Sequence, residues 1–408
     1  MKKRSKKFGI KKIIISIILL ILLFLLVGAG LNYKTIEKIY TGVTLFQPSK
    51  MNERFRNLDQ KFSSRKVEPS ETIFHLEKNL KDLPEDYMYL GEKHSVNDFI
   101  KRTNTTGLIV IQDDKITYEE YFNGYKETDR MITWSVSKSI ISALIGIAIE
   151  EGYINDVYDY VTDYVPSLLK SGYREVTIKD VLQMSSGIKF NEDYFDNNSD
   201  VNQMGARSLG LGKSLEDLLV SLTRERTPGT YNRYVSSDTQ VLGMVLREAT
   251  GVDIATYTQE KLWKPAGMEF DAHWLTDSAG VESAFGGFNA SLRDLARFGL
   301  LYLNKGFMMG NQIIPKKWIT DSITPDAPHL LPGENPNSSW ILGYGYQWWI
   351  PEGIENDFLG MGIYGQAIYI NPKRNTVIVK TSAYKDYDTD GYEMELESIE
   401  FFRQLAIQ

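Results

Sequence analysis

Ser135 and Lys138 are the two residues of this sequence whose types and spacing best suit chemistry. They bracket Ser135-Val136-Ser137-Lys138, at the head of the apolar run 140–149. On a helix, residues three apart share a face, with Cβ atoms about 5–6 Å apart, so the serine and the lysine meet one turn on. The positive end of the helix and apolar surroundings both disfavour an ammonium, which leaves an amine able to take the serine proton. Serine activated by lysine is a route to a nucleophile without histidine. The same serine also suits a helix N-cap, and four residues alone do not separate the two roles. A second copy, Ser63-Ser64-Arg65-Lys66, has no apolar helix behind it and reads as solvated linker.

The elements that must position the pair follow from pattern and punctuation. Residues 107–112 and 116–122, joined by Asp113-Asp114-Lys115, read as a β-hairpin. Residues 366–371 and 376–380, joined by Pro372-Lys373-Arg374-Asn375, read as another. Between the hairpins the signals are helical, over 135–152, 177–184, 215–222, 238–249, 292–303 and 315–323. Thr177 is placed to start one helix, and Ser236 or Ser237 to cap another. Residues 391–406 read as a closing amphipathic helix through Met394, Leu396, Ile399, Phe402 and Leu405. Strands from both ends of the chain are therefore expected in one antiparallel sheet, with a helical region inserted between them. This is an α+β fold with a cleft where sheet and helices meet.

Composition narrows the chemistry. A formal net charge of −7, with no basic-aromatic stripe, argues against nucleic acid as a partner. The absence of cysteine excludes thiolate nucleophiles, disulfides and cysteine metal sites, and the 4 histidines show no HExxH spacing, so no metal site is expected. Residues 1–12 are basic and 13–31 are apolar apart from Ser16. About 20 apolar residues span a bilayer, and the basic flank keeps its end in the cytoplasm. A single-pass membrane protein with its main domain outside the cell is expected, held in the lipid bilayer by 13–31. A cleaved signal peptide, with Gly28-Ala29-Gly30 as the small-residue site, is the competing reading. Residues 32–83 read as a stalk or linker, and 84–408 as the folded domain.

Two further motifs are set aside. Gly210-Leu211-Gly212-Lys213-Ser214 resembles the end of a phosphate-binding loop, but the first glycine of that motif would fall at Arg207 and no strand leads in. Lys170-Ser171-Gly172 lies in a loop, far too early in the chain for the lysine-Ser/Thr-glycine strand of penicillin-recognising enzymes.

Several segments accompany Ser135 in a telling order: 176–188 with Ser185-Ser186-Gly187, 228–238 with Tyr234-Val235-Ser236, 286–299, 343–349 with Trp348-Trp349, and 360–366 with Gly362-Ile363-Tyr364. From about residue 70 onward the chain resembles the serine β-lactamase-related hydrolases. That group includes class C β-lactamases, DD-peptidases and esterases, and the resemblance is greatest to the 6-aminohexanoate-dimer hydrolases. It implies a β-lactamase/transpeptidase-like fold and an acyl-enzyme mechanism without metal or organic cofactor. It implies Ser135 as the acylated nucleophile, Lys138 as its proton acceptor, and Tyr234 as the partner passing a proton to the leaving group, its phenolate favoured by the lysine. Ser236 stands where most of the family carries asparagine, which implies weak action on β-lactams. The backbone N–H groups of Ser135 and Ile363 are the implied oxyanion hole, and Tyr194 falls near a substrate-contacting tyrosine. Trp134, Trp348 and Trp349 read as packing or cleft wall. The implied substrate is a small amide or ester, or a cell-wall fragment. A DD-peptidase-type enzyme and a slowly deacylating sensor remain the alternatives.

Overall fold

The computed structural model describes residues 33–407. The chain divides into two compact units, Met1–Phe46 and Gln47–Gln408. In the first, a helix α1 (Tyr33–Val43) carries Tyr33, Ile36, Tyr40 and Val43 exposed at helical spacing. The expected anchor 13–31 lies outside the described residues, and among those described no helix is long and apolar enough to cross a membrane.

The second unit is built on an eight-stranded sheet, whose strands are numbered in chain order. They are β1 (Glu77–Lys78), β2 (Thr105–Gln112), β3 (Lys115–Tyr121), β4 (Gly343–Tyr344), β5 (Trp349–Ile350), β6 (Phe358–Gly362), β7 (Gln366–Asn371) and β8 (Thr376–Ser382). Their spatial order is β4-β5-β6-β7-β8-β2-β3-β1. Both expected hairpins form, and β8 pairs antiparallel with β2 through Val377↔Ile111 and Val379↔Ile109, which joins the two chain ends in one sheet. Only β1 runs parallel to its neighbour.

Strand side chains alternate faces, and here each face packs on different helices. Ile109, Ile111, Val377 and Val379 join the larger core with α2 (Ser137–Glu150), α3 (Ser236–Thr250) and α4 (Leu292–Leu303). Leu108, Val110 and Ile378 join a second core under the closing helix α5 (Tyr387–Ala406), with Phe401, Phe402 and Leu405. Gly299 lets α4 approach closely, since a Cβ there would lie 2.5 Å from Val377 Cγ1. α2 is buried around nearly its whole girth, as its uninterrupted apolar run requires. Thr177 caps as expected: its hydroxyl accepts from Asp180 N–H, and the Asp180 carboxylate accepts from Thr177 N–H.

Two expectations are corrected. Residues 47–83 belong to the folded unit, so the boundary falls at 46/47 rather than 83/84. Within them, Ser64–Val67 is no linker: it pairs antiparallel with Ala272–Leu275 at the edge of a second, four-stranded sheet. Its two central residues, Arg65 and Lys66, are exposed, so hydrophobic patterning carries no trace of it.

Candidate active site

The chain turns sharply into α2. Trp134 sits at φ +46°, a left-handed conformation uncommon for a bulky residue, and a single 3₁₀ turn, Trp134–Val136, precedes the α-helix. Its ring is held edge-on to Phe55 at 5.3 Å. The N-cap of α2 is Val136 and makes no side-chain bond, so Ser135 is not a cap. Its Oγ lies 2.9 Å from Lys138 Nζ instead.

Lys138 is 1% exposed. Its Nζ donates to Phe285 O at 2.6 Å and lies 5.1 Å from the centroid of the Tyr234 ring. Burial pulls its pKa down to about 7, against the field of Glu192, which pushes it up. An amine held so close to a hydroxyl and titrating so near neutrality can act as a base under ordinary conditions.

Tyr234 precedes α3 and stacks on Trp349, with centroids 5.4 Å apart and planes 20° from parallel. It interacts with Ser135, which favours its phenolate, but burial, Tyr344 and Glu192 outweigh that and hold the phenol protonated well above the usual range. The expectation of a lysine-stabilised phenolate is therefore corrected. These surroundings favour the neutral phenol.

Glu192 is a residue that the sequence reading passed over. Its carboxylate accepts from Ser236 N–H at 2.8 Å, from the Ser236 hydroxyl and from the Tyr194 hydroxyl at 2.7 Å. Burial raises its pKa, while Lys138 and these donors lower it. Ser236 is thus neither a helix cap nor a residue facing the cleft: α3 is capped at Val235 without a side-chain bond, and the only donor of the Ser236 hydroxyl is committed to Glu192. Tyr194 does reach the cleft, and its hydroxyl shares the same carboxylate.

β6 ends beside the nucleophile. A Cβ on Gly362 would lie 2.5 Å from Thr133 O and 3.1 Å from Ser135 N, so only glycine lets this strand close on the turn. Ile363 follows directly, opening a three-residue turn in which Tyr364 (φ +63°) and Gly365 (φ +87°) are left-handed. That juxtaposition puts the backbone of Ile363 at the mouth of the site. A cavity of about 490 Å³ opens there, lined by Ser135, Tyr194, Tyr234 and Ile363 together with Glu192, Trp340, Trp349 and Glu395. Ser236 does not line it. Trp348 lies in the core against Tyr302 and Phe358, whereas Trp349 forms cavity wall.

A beta-lactamase family model matches residues 94–396. The 6-aminohexanoate-dimer hydrolase of Paenarthrobacter ureafaciens is 31% identical over 298 residues, which is 71% of this chain and 75% of that protein. A solved structure from Bacillus anthracis given the same name superposes with a TM-score of 0.78 at 24% identity, across 88% of this chain and 96% of its own. A penicillin-binding protein from Bacillus halodurans superposes at 0.56 and 16% identity, across 73% and 99%. The chain belongs to the beta-lactamase family, as a serine hydrolase of the amidase and esterase type homologous to 6-aminohexanoate-dimer hydrolase.

Proposed function

We propose that this protein is a membrane-anchored enzyme, facing outward, that cleaves a small linear amide or ester through an acyl group on Ser135. The observation that carries the reading is the buried Lys138 amine, 2.9 Å from the Ser135 hydroxyl at the cavity floor. Neutral Lys138 takes the hydroxyl proton as Oγ bonds to the substrate carbonyl carbon. The carbonyl electron pair moves onto oxygen, held by the N–H groups of Ser135 and Ile363; each such donor is worth about 3 kcal/mol. Collapse of this intermediate breaks the bond to the leaving amine or alcohol, which takes a proton from Tyr234, and Lys138 returns one to the phenol. Water then bonds to the acyl carbon as Lys138 takes a proton from it; the bond to Ser135 Oγ breaks, Oγ regains that proton from Lys138, and the acid leaves.

Anchoring is supported by the basic segment 1–12 ahead of the apolar 13–31, and by the exposed apolar stripe of α1, of the kind carried by helices at a bilayer surface. Ser236, bonded to Glu192 and off the cavity lining, offers a substrate no carboxamide, which supports a substrate other than a β-lactam. The full chain, with Ser135→Ala as control, is tested on short-chain p-nitrophenyl esters, short amides, D-Ala-D-Ala peptides and nitrocefin. Ser135-dependent ester and amide cleavage with negligible nitrocefin turnover is expected. Brisk nitrocefin hydrolysis contradicts the substrate reading, D-Ala-D-Ala cleavage favours a cell-wall enzyme, and a fluorescent β-lactam added in parallel that stays on Ser135 for hours without product favours a sensor.

A further inference from the structure

The turn from Ile363 to Gly365, between β6 and β7, holds two residues in costly backbone. Tyr364 at φ +63° and Gly365 at φ +87° are both left-handed, a region that a bulky side chain rarely adopts. Such a turn persists only where its surroundings over-determine it. The Tyr364 ring is held by Phe55 at 5.3 Å and by Tyr387 at 5.0 Å. Those contacts fix a side chain, and the main chain of the turn needs a hold of its own.

Gln366 supplies it. The residue is only 3% exposed, and a buried amide must find partners for both its ends. Main-chain pairing of β7 with β8 stops at Ala367↔Lys380, and beyond that point the Gln366 side chain takes over. Its Oε1 accepts from Ser382 N–H at 3.2 Å, and its Nε2 donates to Ser382 O at 2.6 Å. The same Nε2 donates to Ile363 O and Tyr364 O, each at 3.4 Å. The reverse orientation of the amide would set its oxygen against three carbonyls. Ser382 is itself anchored: its hydroxyl accepts from the buried Lys380 amine at 2.5 Å. A Cβ on Gly365 would lie 3.1 Å from Ser382 Cβ, so the turn sits tight on this anchor. Gln366 therefore grips the turn twice, since its backbone pairs with Gly362 and its side chain holds Ile363 O. The N–H of Ile363 lies between those two points.

We propose that Gln366 is a positioning residue, which ties the turn to Ser382 and so aims the Ile363 N–H at the oxyanion that forms on the carbonyl attacked by Ser135. Gln366 does not line the cavity and touches no substrate. The proposal rests on the reading of Ile363 as an oxyanion donor, and the test separates the two.

The full chain is assayed on a p-nitrophenyl ester and on its thiono counterpart, whose C=S sulfur is a poor acceptor for N–H donors. The ratio of the two kcat/KM values reports the oxyanion donors, whereas a displaced Ser135 lowers both rates together. Gln366→Met keeps the length of the side chain and removes its hydrogen bonds. It is expected to lower kcat for the oxygen ester about tenfold, with KM within about twofold, and to lower the oxygen-to-sulfur ratio about tenfold. Ile363→Pro deletes the N–H itself and is expected to lower the ratio further. A ratio that falls in Ile363→Pro and stays unchanged in Gln366→Met, or an equal loss on both esters in Gln366→Met, overturns the proposal and leaves the donor reading standing. A ratio unmoved by Ile363→Pro defeats the donor reading and the proposal with it. Should Gln366→Met fail to fold, Gln366→Asn withdraws the same amide by one methylene; a ratio about threefold lower supports the proposal, and an unchanged ratio overturns it.

Discussion

Glu192 holds Ser236 by both its backbone N–H and its hydroxyl, and so fixes a carboxylate behind the amine of Lys138. The acid serves two ends: it anchors the start of α3, two residues after Tyr234, and its field opposes the loss of charge on Lys138.

A pH dependence follows from that field. Lys138 must be neutral to accept a proton, and its pKa lies at about 7. The kcat/KM for a neutral ester therefore rises with pH and levels off above about 7. Glu192 raises the lysine pKa, so Glu192→Gln removes that support and moves the acidic limb to lower pH. A limb that stays put or moves upward in a pH-rate profile of the variant contradicts this account.

Tyr234→Phe removes the hydroxyl and leaves the ring stacked on Trp349. If the phenol passes the proton to the leaving group, kcat for an amide falls about 10²–10⁴-fold, and stability changes little. Esters of p-nitrophenol, whose leaving group needs no proton, fall much less. Equal losses for both substrates in steady-state kinetics contradict the assigned role.

Two glycines separate packing from chemistry. Gly299→Ala sets a Cβ against Val377 in the core, off the cavity lining, and costs about 1–3 kcal/mol by overpacking. The folded fraction keeps its kcat. Gly362→Ala sets a Cβ against Thr133 O and Ser135 N, so it must displace the turn that holds the nucleophile, and kcat falls even in folded protein. Denaturant melts and kinetics on the same preparations distinguish the two.

Much of this arrangement was legible in the residues. The hairpins were marked by apolar runs around short turns, and the Ser135–Lys138 contact by helical spacing, because both are local. Glu192 was not, since its partners on Ser236 lie 44 residues away and nothing in its own neighbourhood marks burial. Glu395 left a faint signal: it falls three residues before Ser398 and seven before Phe402, on the buried side of α5. Its burial follows from the packing of α5 on the sheet, which the apolar Met394 and Leu396 on either side of it do not reveal. The strand Ser64–Val67 was hidden because it is polar and joins a partner far along the chain.

The most direct measurement is the site of acylation. The full chain is treated with a fluorophosphonate and mapped by peptide mass spectrometry, alongside Ser135→Ala and Lys138→Met. The predicted result is one adduct, on Ser135, absent from the first variant and formed far more slowly in the second. An adduct on another residue, or labelling at an unchanged rate without the lysine, would contradict the mechanism at its root.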